Sequence, residues 1–421
     1  MTLGLRLFFV LFLFALQPAT AQELPIGKAE DHGMSSERLK AVTSLLEDYT
    51  DSGQMPGAVI SVMRDGVIVH EAAVGMRDRE AAVPLAKDDI FRIASQTKAV
   101  VSVGIMILQE RGQLLITDAV GAYLPEYMET TVAISGEEGY EVVPASRPIT
   151  IRDLLTHTAG IGYGYGPASD RWQDAGIQGW YFAHYEEPIR ETVRRMASLP
   201  MDAHPGTEYV YGYNTDILGA LIEVVSGQPL DAFLAEHVFE PLDMRDTYFY
   251  LPESKRDRLA VVYSLTPDSL VRSPNESAME AQGAYVDGPS VSFSGGAGLL
   301  STARDYARFL QMLLNAGQLN DTRILSPTSV RSMTTDHLDD VEYPWGGGVG
   351  FGLGFYVVDD LGEYAVLGSV GEYGWGGAYH SVYWVDPAER LVVVYFTQVV
   401  PAPGLDDHAK IRAMVYGSLL E

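Results

Sequence analysis

The sequence predicts an α/β (α+β) fold: an antiparallel sheet flanked by helices, with an all-helical domain inserted into it. Two observations carry this. Runs rich in Val and Ile stand near both ends of the chain, at 58–63 and 67–74 and again between 350 and 396. Between them, from about 115 to 290, the apolar periodicity is mainly helical and broken by long loops. Strands at both ends are most economically joined in one sheet, with the intervening chain looped out. The expected layout is an export signal at 1–21, a discontinuous α/β domain from 22–115 and 290–421, and a helical insertion at 116–289. A chain of 421 residues, 47% of them hydrophobic, can bury a core of that size.

The elements follow in order. Arg6 precedes an apolar run at 7–16, and Ala19-Thr20-Ala21 fits a small-x-small cleavage site, so the mature, exported chain is expected to begin near Gln22, in the periplasm or the medium. Residues 34–52 read as an amphipathic helix through Leu39, Val42, Leu45 and Leu46. Asp65-Gly66 between the two Val/Ile runs signals a hairpin. Residues 95–111 are apolar nearly all round and read as a buried helix ended by Gly112. Thr150 and Thr302 are N-cap candidates for helices at 151–156 and 302–314. Helices are also expected at 216–225, 229–239 and 407–419, a structured loop at 163–180, and strands at 350–358, 364–367, 379–385 and 391–396.

Composition narrows the function. With 29 basic and 56 acidic residues the formal charge is −27, which argues against nucleic acid or anionic lipid as a partner. The absence of cysteine excludes disulfides, thiol catalysis and cysteine-bound metals. The nine histidines show no His-Glu-x-x-His or similar spacing, so neither a metal nor a cofactor is expected. No Gly-x-Ser-x-Gly elbow is present, and the glycines at 346–348 lack a phosphate-loop pattern. Beyond the leader no stretch is long and apolar enough to span a bilayer, and nothing in the composition specifies an oligomeric state.

Ser95-Gln96-Thr97-Lys98 carries the chemistry. Residues three apart share a helix face, and a helix start favours developing negative charge. A serine hydroxyl needs a partner to take its proton, and a buried lysine can do so. Six lysines and 27 serines in this chain produce such a pair by chance roughly one time in three, so context decides.

Five segments supply it: 91–98 (Phe-Arg-Ile-Ala-Ser-Gln-Thr-Lys), 154–160 (Leu-Leu-Thr-His-Thr-Ala-Gly), Pro205-Gly206-Thr207 with Tyr211, 295–299 (Gly-Gly-Ala-Gly-Leu), and Gly374-Trp375-Gly376-Gly377. In this order they resemble the serine β-lactamase and penicillin-binding-protein family, especially class C β-lactamases and family VIII carboxylesterases. The resemblance implies Ser95 as nucleophile, Lys98 as its proton partner and Tyr211 as the base that later protonates the leaving group. Tyr209 and Tyr213 are neighbours whose alternative role is packing. The resemblance also places an oxyanion hole at the backbone amides of Ser95 and Ala378, and a substrate wall at Trp375, Gly376, Gly377, Tyr213 and Tyr163. Tyr165, Trp172, Trp180 and Tyr373 are further candidates for pocket lining, and His157 is read as structural.

Two departures separate this chain from lactamases. Trp375 stands where penicillin-recognising members carry a cation, and Tyr213 where they carry an amide-holding Asn. The expectation is therefore an exported serine hydrolase cleaving carboxylic esters of short chain through a Ser95 acyl-enzyme. The alternatives are an amidase-type member (a β-lactamase or D-amino-acid peptidase), a transacylase, and a non-catalytic binding protein of the same fold.

Overall fold

The Asp65-Gly66 pair adopts φ of 56° and 80°, the two left-handed residues of a tight hairpin turn. It joins strands Gly57–Arg64 and Val67–Asp78. The computed structural model describes residues 23–137 and 139–420, so the expected signal at 1–21 and its cleavage point lie outside the described residues. The first strand of the hairpin pairs on its other side with Leu391–Phe396, antiparallel, with Ile60 opposite Tyr395 and Val62 opposite Val393. The eight-stranded sheet runs, in spatial order, Val349–Phe351, Tyr356–Val358, Tyr373–Gly377, Ser381–Asp386, Leu391–Phe396, Gly57–Arg64, Val67–Asp78 and Val83–Pro84.

Its central strands are apolar on both faces because both faces are covered. Ile60, Val62, Val393 and Tyr395 pack on one side with Leu39, Val42 and Leu46 of the Ser36–Asp51 helix and Ile411 and Val415 of the Asp407–Tyr416 helix. Val59, Met63, Val394 and Phe396 face the opposite core, with Phe309 and Met312 of the Ala303–Leu314 helix. The two-residue period of a strand sorts these side chains. Beside that second core lies the Thr97–Glu110 helix, buried from Thr97 to Leu108. Its far side meets the Asn214–Ser226 helix. Gly104 is glycine for packing: a Cβ there would sit 2.9 Å from Ile222 Cδ1.

The intervening chain contains more β structure than its pattern predicts. Thr131–Gly136 pairs with Gly139–Pro144, and Tyr263–Leu265 with Leu270–Arg272. The first pair is further tied in by a bridge from Val132 to Met201, a long-range contact without local signature. The loop at 163–180 contains a helix, Ser169–Asp174. The helix expected at 229–239 is Leu230–Leu234 running into a wider π-type turn, Ala235–Phe239. The strand expected at 350–358 is split into two strands by a turn, because Gly352 lies where a Cβ would be 2.1 Å from Met333 O. The strand expected at 364–367 is instead the end of a short helix, Leu361–Tyr364, capped by Asp360.

A buried polar knot fastens the last helix to the sheet edge. Glu372, fully buried, accepts from Tyr356 Oη at 2.9 Å and Tyr416 Oη at 2.6 Å, and from the Arg412 guanidinium. Arg412 also lies 5.1 Å from the Trp384 ring centroid. Removing the cation leaves a buried carboxylate with two hydroxyl donors. Arg412→Ala is expected to lower stability by about 3–5 kcal/mol, read as a lower midpoint in urea denaturation; a loss under about 1 kcal/mol would show the knot to be structurally idle.

Candidate active site

The nucleophile segment turns from strand to helix at a strained residue. Phe91–Arg92 pairs with Leu300–Ser301, Ala94 sits at φ 42°, and Ala94–Gln96 makes one 3-10 turn before the Thr97–Glu110 helix. A left-handed alanine costs about 1–2 kcal/mol, and its neighbours hold it there. Ile93 N donates to Leu299 O at 3.1 Å, Leu299 N to Thr97 Oγ1 at 3.0 Å, and Tyr306 Oη to Gln96 O at 2.9 Å. Ser95 thus stands on rigid backbone.

Lys98 lies beneath it, 1% exposed. Its Nζ donates to Ser95 Oγ at 3.2 Å, Tyr163 Oη at 3.1 Å and Gly296 O at 2.8 Å. Three acceptors use all three hydrogens of an ammonium. The same Nζ is 4.6 Å from the centroid of the Tyr211 ring, a cation–π distance. The Gly296 carbonyl is itself positioned by Asp216, a residue the sequence did not single out. The buried Asp216 carboxylate accepts from Ser294 Oγ at 2.6 Å and from Gly296 N at 3.0 Å. Burial raises its pKa, opposed by the Ser294 hydrogen bond and the Lys98 charge. A Cβ on Gly296 would come 2.4 Å from Asp216 Oδ2, so the glycine at 296 was the one available clue.

The three tyrosines separate in role. Tyr211 Oη accepts from Trp375 Nε1 at 3.2 Å, and its ring packs on His157 and Trp375 with centroids 4.6 Å and 5.5 Å away. Tyr163 touches Lys98 directly, but burial, then the neighbouring Tyr211, holds its hydroxyl pKa well above the usual phenol value; it stays a neutral phenol. Tyr213 does not reach the cavity, contrary to the sequence expectation. It is fully buried, stacks on Trp172 at 5.6 Å, and donates to the Tyr163 carbonyl at 3.2 Å. The Asn214–Ser226 helix begins directly after it, and the Asn214 side-chain nitrogen lies within hydrogen-bond distance of Ile161 O, Val210 O and His157 Nδ1. His157 is buried, and burial together with Lys98 keeps its pKa well below the usual imidazole value. A neutral, packed ring suits a structural part.

A cavity of about 580 Å³ brings Ser95, Tyr163, Tyr211, Trp375, Gly376, Gly377 and Ala378 together. Gly377 permits the close approach of strand and nucleophile segment: a Cβ there would be 2.6 Å from Ile93 O. Trp180 also lines the cavity, whereas Tyr165, Trp172 and Tyr373 do not. Trp345, unread in the sequence, overhangs it: the residue is 56% exposed and its ring centroid sits 5.4 Å from that of Tyr211 and 5.5 Å from that of Trp375. Its only sequence signal is an aromatic residue beside the glycines at 346–348. A larger cavity of about 780 Å³, lined by Phe239, Met244 and Phe293 among others, lies elsewhere and contains none of the Ser–Lys–Tyr group. Of groups able to hold a metal, His380, Asp407 and His408 come together at the wall of the Ser95 cavity. Burial and the adjacent His380 lower the His408 pKa to about 4.

The chain is similar to known proteins over most of its length. The β-lactamase family model matches residues 42–416. Protein Rv1367c of Mycobacterium tuberculosis is 34% identical over 385 residues, 87% of this chain and 91% of that protein. Esterase EstB of Burkholderia gladioli is 34% identical over 361 residues, covering 82% and 86%. Among solved structures, EstCE1, described as a hydrolase with promiscuous acyltransferase activity, superposes with a TM-score of 0.78 at 28% identity over 90% of this chain and 99% of that one.

The loop that carries Tyr163 wraps a carboxyl group. A Cβ on Gly166 would lie 2.0 Å from Asp202 Oδ1, and Asp202 N donates to Gly160 O at 2.8 Å. Burial raises the Asp202 pKa to about 6, against a lowering hydrogen bond from Gly162. The unfolded chain releases this proton near pH 4. Between these values the folded state binds more protons, so this group's contribution to stability falls as pH rises from about 4 to 6. Asp202→Asn cannot ionise. Its Tm relative to wild type is therefore expected to climb between pH 4 and 7 in calorimetry; a flat difference would contradict the raised pKa.

Proposed function

The chain belongs to the β-lactamase family and is a carboxylesterase-like serine hydrolase, and from that premise we propose that it hydrolyses small carboxylic esters through an acyl-enzyme on Ser95. The observation that carries this reading is the position of Lys98 Nζ, hydrogen-bonded to Ser95 Oγ at 3.2 Å while lying 4.6 Å from the Tyr211 ring. Ser95 Oγ attacks the ester carbonyl carbon as its proton passes to Tyr211. The step requires Tyr211 as an anionic acceptor; the Lys98 ammonium, 4.6 Å from its ring, stabilises that charge and orients Ser95. The amides of Ser95 and Ala378 receive the oxyanion. Collapse breaks the bond to the alkoxy oxygen, which leaves as the alcohol with the proton from Tyr211. Water then attacks the acyl-enzyme by the same proton route, the bond to Oγ breaks, and the carboxylic acid departs.

Esters are favoured over β-lactams or peptides by the walls. No lysine or arginine is among the described lining residues, which are chiefly aromatic rings and glycines. A substrate carboxylate has no lysine or arginine among those residues to pair with, whereas an apolar acyl or alcohol group does find partners. The space is shared by both ends of the ester, which suits short chains. EstCE1's acyltransferase description favours a second reading, in which another alcohol replaces water in the second step.

Turnover of p-nitrophenyl acetate through octanoate, with nitrocefin in parallel, tests the assignment. Ser95→Ala and Lys98→Ala are each expected to cost at least about 10³-fold in kcat, and Tyr211→Phe about 10²–10⁴-fold. Nitrocefin turnover is expected to stay far below that of acetate. Retention of full ester rate by Ser95→Ala and Lys98→Ala would overturn the mechanism, and rapid nitrocefin turnover would transfer the assignment to lactam hydrolysis. Trp345→Ala, which opens the cavity mouth, is expected to raise KM for the longer esters several-fold with little change in kcat; a kcat loss equal to that of Tyr211→Phe would instead make Trp345 part of the proton machinery.

A further inference from the structure

The last helix brings a second chemical group to the cavity wall. His380 follows the Tyr373–Gly377 strand, and Asp407 and His408 open the Asp407–Tyr416 helix. One donor atom from each lies within 4.8 Å of the other two. His380 Nε2 and Asp407 Oδ1 are 2.7 Å apart, and the two imidazole rings are stacked with centroids 4.0 Å apart and planes 17° from parallel. The acyl transfer uses none of the three.

Two features exceed what an ordinary buried ion pair requires. His408 Nε2 lies 3.2 Å from the His380 carbonyl. A carbonyl only accepts, so Nε2 carries the hydrogen and Nδ1 keeps its lone pair. That Nδ1 has no hydrogen-bond partner among the described residues. The second Asp407 oxygen accepts from Tyr395 Oη at 2.6 Å, the outer hydrogen bond that orients metal-bound carboxylates. His380 itself sits at φ 63° as the left-handed third residue of the hairpin loop between Gly377 and Ser381, with its N–H donating to Gly377 O at 3.0 Å, so the turn fixes where its ring leaves the backbone.

We propose that His380, Asp407 and His408 form a binding site for a divalent transition metal such as Zn²⁺, in the wall of the cavity that Ser95 lines. Two imidazoles and one carboxylate are a donor set suited to Zn²⁺, Ni²⁺ or Cu²⁺, and three protein ligands leave a position open. Tetrahedral bonds of about 2.0 Å put donors about 3.3 Å apart. The His380–Asp407 contact therefore opens by roughly half an ångström and the widest pair closes by up to about 1.5 Å, and the two imidazoles, stacked 17° from parallel, turn out of their stack on binding so that both in-plane lone pairs meet the one ion. Both histidines line the cavity, which gives the ion its path in. The Ser–Lys–Tyr group stands apart from this site, so either reading can fail without the other.

Calorimetric titration of Zn²⁺ into untagged, EDTA-treated protein tests the site. One saturable site of micromolar or tighter Kd is expected, weakened at least ten-fold in both His380→Gln and His408→Gln and unchanged in the control His204→Gln. Absence of saturable binding, or binding indifferent to His408→Gln, would overturn the proposal. Should the variants fold poorly, Cu²⁺ paramagnetic resonance on the wild-type protein answers without them. Superhyperfine coupling to two imidazole nitrogens is expected, and its absence overturns the site.

Discussion

A charge removed from water dictates the layout of this protein. Lys98 sits beneath the cavity almost without solvent, and an uncompensated ammonium there would cost several kcal/mol. Its three acceptors come from three parts of the chain: Ser95 one turn back, Tyr163 from the intervening segment, and Gly296 from the loop before the Ala303–Leu314 helix. Satisfying one nitrogen therefore locks the nucleophile turn, the insertion and the return to the sheet together. The arrangement that buries the charge is also the one that sets Lys98 Nζ against Ser95 Oγ.

Around that nitrogen the fold relies on close backbone approach. Gly377 lets the edge of the Tyr373–Gly377 strand pass Ile93, and Gly296 lets its loop rest on the Asp216 carboxylate. The strain accepted at Ala94 belongs to the same economy: rigid elements on either side hold one unfavourable dihedral, and the serine gains a fixed position. The aromatic rings of His157, Tyr211, Trp345 and Trp375 then form a continuous packed wall. Such a wall excludes water from one side of the reacting group and strengthens the electrostatics on the other.

Much of this was legible in the sequence. The hairpin at Asp65-Gly66, the buried helix after Ser95, and the sheet shared by both chain ends follow from local turn chemistry and periodicity. Ser95, Lys98, Tyr211, Trp375, Gly376, Gly377 and Ala378 were legible through spacing and resemblance, and one cavity brings all but Lys98 to its surface. Tyr213 was misassigned, because an aromatic residue two positions from Tyr211 carries no mark of the side it faces. The hairpin at 131–144 lacks a clear apolar pattern because most of its residues are exposed or half-buried, and the turn that splits 350–358 packs against Met333 of another element.

The sequence by itself determined the pairing of Ser95 with Lys98 and the helix that carries it. Spacing along a helix or strand is set by covalent geometry, and a Ser three residues before a Lys must share its face. Only the tertiary structure decided which groups meet across the chain: Asp216 beneath Gly296, Trp345 over Tyr211, and Asp407 and His408 beside His380. These meetings depend on how helices and sheet pack, and packing is decided by the sum of many weak contacts rather than by any motif.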